Sequence, residues 1–120
     1  MSSSLNFNSL STWENIDYDS AIKRLSSDES DSYNLDAAQI SIEIFQMVHD
    51  KQMRAQIFFN CEKLGLRNWK LYYAYNDVCQ KDYTKFILCI LNSDVAMMQA
   101  VRENETLIRD ECKHVEILHS

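Results

Sequence analysis

One glycine and no proline occur among the 120 residues, where average usage would supply about eight and about six. Almost nothing is therefore left to adopt positive φ or to stiffen a turn. Sandwiches and barrels need such residues at every corner, so a chain of this kind is expected to fold as helices joined by short polar links. The same shortage excludes whole chemistries. The dinucleotide fingerprint, the P-loop, the kinase phosphate loop and the nucleophile elbow each need two or more glycines, and Gly65 stands alone.

The formal net charge of −6 is unevenly placed. Residues 1–36 carry seven acidic side chains against Lys23 and Arg24, whereas the remainder carries eleven acidic against ten basic. A near-neutral body behind an acidic leading third lacks the positive surface that grips a phosphate backbone, so nucleic acid is not an expected partner. The longest strongly apolar run, Phe86 to Leu91, is six residues, against the roughly 20 that a membrane helix needs. No membrane span is expected. The first residues show no secretory signal, and Cys61, Cys79, Cys89 and Cys112 form no CxxC pair. Both features point to a cytoplasmic or nuclear protein with buried thiols.

The first third also differs in texture. Ser26 to Ser32 reads Ser-Ser-Asp-Glu-Ser-Asp-Ser, a stretch with too little apolar surface to offset its ordering entropy. Residues 1–34 are accordingly expected to form a largely disordered acidic arm. Within it, segment 5–18 holds Leu5, Phe7, Leu10, Trp13, Ile16 and Tyr18. Phe7, Leu10, Trp13 and Ile16 recur every three residues, near helical spacing, and form the candidate partner-binding face. The competing expectation is that this face docks on the chain's own domain. Trp13 and Ile16, after Ser11 and Thr12 and beside Glu14 and Asp17, resemble the W-x-x-I/L/V motif by which autophagy receptors add a strand to ubiquitin-like partners. The mixture of acidic and bulky apolar residues also resembles an activation segment that folds into a coactivator groove. Ser26, Ser27, Ser30 and Ser32 are candidate phosphorylation sites for an acid-directed kinase.

Residues 35–120 read as a helical domain, giving an all-α protein with a small bundle of about four helices behind the arm. Asp36 is the expected N-cap, with Gln39 in the capping-box position and Leu35 stapled onto Ile40. One long helix with a polar waist at His49 to Gln52 is expected to run from there to Leu64, where Gly65 suits a left-handed end and Leu66 its apolar contact. Two helices joined near Gln80 to Asp82 are expected in 66–91, the alternative being an α+β fold with a hairpin over 69–91. The last helix starts at Asn92 or Ser93 and carries Val95, Met98, Val101, Ile108, Cys112 and Val115 at intervals of three or four. Met97, Met98, Val101 and Ile108 form its candidate self-association face, which a homodimer would use.

No catalytic, metal or cofactor site is expected. Glu111 and His114 make an E-x-x-H pair, but a di-iron site needs a second pair, and Gln46 stands where the glutamate before His49 would be. A zinc site from Cys112 and His114 matches no finger spacing. The expected role is thus non-enzymatic: an adaptor or regulatory subunit that binds a protein partner. The alternatives are a structural subunit of a larger complex or homodimer, and a small enzyme with a Cys/His site.

Overall fold

The computed structural model describes residues 10–105. They are 78% helical without a strand, which makes the class all-α. The first helix, α1, covers residues 10–15. It is followed by α2 (Tyr18–Arg24), α3 (Glu29–Tyr33), α4 (Leu35–Met47), α5 (Lys51–Leu64) and α6 (Asn68–Tyr73), which runs into a π-helical segment, Ala74–Val78. Then come α7 (Tyr83–Leu91) and α8 (Val95–Glu103). No single helix among the described residues is long and apolar enough to cross a membrane.

The helices are shorter and more numerous than the expected four, because capping side chains cut the chain where glycine and proline do not. Asp17 accepts from the Ser20 N–H, Asp28 from Asp31, Asn34 from Asp36 and Ala37, Asp50 from Gln52 and Met53, Asp82 from Lys85, and Asp94 from Met97. Each such cap stabilises its helix by about 1 kcal/mol. The expected long helix fails for this reason. Its polar waist is a corner in which Val48 is extended and buried while Asp50 opens α5. The cap of α4 is Asn34, not Asp36, and Leu35 is exposed instead of stapled onto Ile40. Asp94 itself caps α8, displacing Asn92 and Ser93 from that role.

Two expectations hold in detail. Gly65 ends α5 at φ 75°, its N–H donating to Glu62 and that of buried Leu66 to Cys61. This is the paired bonding of a Schellman end. Residues 68–91 are two helical stretches around a turn at Cys79 to Asp82, not a hairpin. Leu71 with Ala74, and Phe86 with Ile90, enter the core at helical spacing. Elsewhere the shortage of glycine carries strain. Gln80, Lys81 and Ser93 all have positive φ, at roughly 1–2 kcal/mol each, and they flank the two ends of α7.

The architecture is organised on α4, which lies along α6 and receives α2 and α3, while α5 packs on α7 and α8 on the π-helical segment. One core joins these layers. Trp13, Ala21 and Leu25 meet Ile40 and Ile44 of α4, Ile57, Phe58 and Cys61 of α5, Leu71 and Ala74, Phe86 and Ile90 of α7, and Met97 and Val101 of α8. The expectation of a disordered arm is therefore corrected for residues 10–34, which supply three helices and a share of the core. Its acidic-serine stretch is turned into structure by Asp28 and Asp31, the latter buried and accepting from the Ser27 N–H and hydroxyl.

Candidate interaction surface

The structure places the sequence-derived docking face inward. Trp13 is 1% exposed and stacks on Phe58 with ring centroids 5.0 Å apart. Leu10 and Ile16 are half-buried against the same core, and Phe7 lies outside the described residues. A strand-adding W-x-x-I motif needs an exposed, extended segment, whereas Trp13 sits in α1 within the core. Sequence periodicity found the apolar face; it could not tell an internal partner from an external one.

Two polar nodes hold this segment. At the first, Glu62 of α5 accepts from the Trp13 indole N–H at 3.2 Å and from Arg24 at 2.6 and 2.9 Å, with the Arg24 guanidinium 4.9 Å from the Trp13 ring centroid. At the second, Asn68 of α6 is fully buried. Its side chain donates to the Ile22 carbonyl at 2.8 Å and accepts from the Ser41 hydroxyl at 2.6 Å, while its backbone N–H reaches the Leu25 carbonyl at 3.0 Å. The last carbonyls of α2, which its own helix leaves unsatisfied, thus find donors on α6.

Burial alone would raise the Glu62 carboxyl. Hydrogen bonds from Arg24 and Trp13, with the charges of Arg24 and Arg67, outweigh it and hold the group below its usual 4.5. A carboxyl depressed in the folded state stabilises the fold fully above its unfolded value and loses that contribution as pH falls through the folded value. The melting temperature should therefore drop on acidification below about pH 4.5 more steeply in the native protein than in Glu62→Gln. The variant keeps an acceptor for Trp13 but takes up no proton. Thermal unfolding of both from about pH 6 to about pH 3 tests this, and parallel profiles would refute it.

The candidate phosphorylation sites are all engaged. Ser26 donates to the Ile22 carbonyl, Ser27 to Asp31, Ser30 to Asp28 and Ser32 to the Glu29 carbonyl. A phosphate on exposed Ser27 would face the Asp31 carboxylate, which disfavours it in the folded state. The proposed self-association face is corrected in part. Met97 and Val101 are core residues and Met98 is half-buried against them, because the stripe on α8 packs on the π-helical segment and the Cys79 thiol after it. Ile108 lies outside the described residues, as do Cys112, Glu111, His114 and His119.

What remains outward is at the corners. Tyr33 and Leu35 are exposed around the α3–α4 junction, Met47 and Met53 around the α4–α5 corner, and Leu88 and Val95 around the α7–α8 corner. The third is concave. Helices α7 and α8 meet at 102°, and an open groove of about 400 Å³ is lined by Asp82, Thr84, Lys85, Leu88, Cys89, Asn92 and Asp94. Leu88 is 53% and adjacent Val95 76% exposed. The corner is held by hydrogen bonds: the Asn60 side chain of α5 donates to the Ile90 and Leu91 carbonyls at the end of α7, and the Asp94 backbone N–H donates to the Cys89 carbonyl at 2.8 Å. Nothing in the sequence sets this surface apart, since Leu88 falls within the apolar run Phe86 to Leu91 and Val95 on the α8 stripe.

The described residues bring no three His, Cys, Asp or Glu side chains together as a metal cluster. Cys61 is sealed in the core, where burial pushes its thiol well above the ordinary value, and His49 is exposed at the α4–α5 corner. No family model matches the chain, and neither a curated protein nor a solved structure does.

Proposed function

We propose that the protein is a non-enzymatic interaction module, an adaptor or regulatory subunit of the cytoplasm or nucleus, that receives a protein partner at the α7–α8 groove. The observation that carries this reading is Leu88 and Val95, two large aliphatic side chains left mostly in water at a rigidly built corner. Burying either against a partner contributes about 1.5–3 kcal/mol. Asp82, Lys85 and Asp94 line the groove together with Leu88, so charged groups stand beside an apolar contact, the mixture an interface uses.

The test compares native protein with the double variant Leu88→Asp/Val95→Asp as bait in the native cell type. Surface changes of this kind should move stability by no more than about 0.5 kcal/mol each, so the fold is retained while partners that use the groove are lost. A control variant, Met47→Asp/Met53→Asp, should retain them. An unchanged partner set in the groove variant rejects the proposal. If the bound species is a second copy of this chain, the same variant becomes monomeric in sedimentation, and the structural-subunit reading takes its place.

A further inference from the structure

We propose that the peptide bond between Asp31 and Ser32 is a cleavage site for an aspartate-directed cysteine protease of the executioner caspase type, presented by local opening of α3. The stretch Asp28-Glu29-Ser30-Asp31-Ser32 sets two aspartates three positions apart, with a glutamate between them and a small residue after them. When such a segment lies extended in the protease, its first and last aspartates enter arginine-lined pockets that match carboxylates bidentately. The serine leaves room beside the bond that breaks. No other aspartate of the chain has a second one three positions before it.

Helix α3 is the element best suited to open. It is five residues long, and its one buried residue is Asp31, so no apolar side chain ties it to the core. Every other described helix buries at least one. Hydrogen bonds hold it instead: Asp28 caps it through the Asp31 N–H, and the Asp31 carboxylate accepts from the Ser27 N–H at 3.0 Å and the Ser27 hydroxyl at 2.7 Å. An element held in this way belongs to the low-stability end of a fold. Its flanks are already extended, Asp28 at φ −152° and ψ 179° and Asn34 at φ −83° and ψ 102°, so a single turn has to straighten between them. Trp13 and Leu25 keep their places in the core meanwhile. The Ser27–Asp31 clasp therefore sets how often the bond is presented.

The protease thiolate adds to the Asp31 carbonyl, the Ser32 nitrogen leaves with a proton, and water releases the acyl group as a carboxylate. One peptide bond and one water give a carboxylate and an ammonium group. The cut falls between the two sides of both polar nodes: Trp13, Ile22 and Arg24 lie before it, Glu62 and Asn68 after it. Contacts within one chain become contacts between two, and lose the high effective concentration that linkage supplies. Helices α1 and α2 are then released from Phe58 and Asn68, whatever occupies the α7–α8 groove.

The test exposes the folded full chain to a purified executioner caspase and maps the products by mass spectrometry. The expected products end at Asp31 and begin at Ser32, and they part in size-exclusion chromatography. Asp31→Asn keeps an oxygen for Ser27 but offers the protease no charge, and it should stay uncut. Asp28→Asn keeps the cap and should be cut at least about tenfold more slowly. Ser27→Ala removes a donor from the clasp and should be cut at least about threefold faster. An intact Asp31–Ser32 bond while a tetrapeptide standard is consumed, a main cut after another aspartate, or equal cleavage of Asp31→Asn would each overturn the site. An unchanged rate in Ser27→Ala would overturn the opening of α3 as the presenting step, and products that stay together would overturn the release. The native map decides the matter even if a variant fails to fold.

Discussion

Trp13→Ala should lower the unfolding free energy by about 3–5 kcal/mol, about a fifth or more of the roughly 5–15 kcal/mol that a folded domain usually holds in reserve. The substitution removes a buried indole stacked on Phe58 and the hydrogen bond to Glu62, and it leaves the Arg24 guanidinium without the ring beside it. A residue in a solvated docking arm would give a change near zero. Urea unfolding followed by far-ultraviolet circular dichroism separates the two, provided the slope is unchanged and the midpoint alone moves. A loss under about 1 kcal/mol would mean that residues 10–34 do not belong to the core.

Asn68→Ala should be comparably severe, at about 2–4 kcal/mol, because it leaves the buried Ser41 hydroxyl without its acceptor, at about 1–3 kcal/mol, and the Ile22 carbonyl with the Ser26 hydroxyl alone, at about 1 kcal/mol more. Its local signature differs from that of Trp13→Ala. Amides in the second half of α2 and in the following turn should exchange with deuterium faster than those of α5 and α7, since α2 is anchored through Asn68 and the latter pair is not. Uniform acceleration across the chain would place Asn68 in the global core instead of at a local tie.

Helical class was readable from the missing glycine and proline, and the end of α5 from Gly65 and Leu66. Helix number was not. Asp50 reads as part of a polar waist and Asp28 as part of a solvated run, yet both belong to a set of six aspartate and asparagine residues that cap helices, because a carboxylate or amide oxygen accepts from the free backbone N–H groups of a first turn. Position within the polar run decided the outcome at Asp50, where a preceding extended Val48 packs inward. The arm was misread for a different reason. Composition averages over Ser26–Ser32, whereas folding depends on Trp13, Ala21 and Leu25, which are few but reach the same core as α4 and α5. Asn68 gave no signal at all, since a buried amide is recognisable only by the carbonyls that converge on it.

The candidate groove lay below the resolution of pattern reading. Leu88 continues the apolar run from Phe86 to Leu91, and periodicity places both faces of so short a helix near the core. Only the sharp turn at Asn92–Asp94, forced by positive φ at Ser93, sets α8 across α7 and leaves Leu88 and Val95 outside.

The single core reaching from Trp13 to Val101 also sets when, on the ribosome, this protein can become itself. The first helices emerge before their partners on α5 and α6 exist, and the core is complete only once α8 has been made, roughly 4–16 s after Leu25 at ordinary elongation rates. During that interval Trp13, Leu25 and the apolar stripes of α4 and α5 are open to whatever holds nascent chains. Abundance in the cell would then follow chaperone supply at translation as much as the stability of the finished fold.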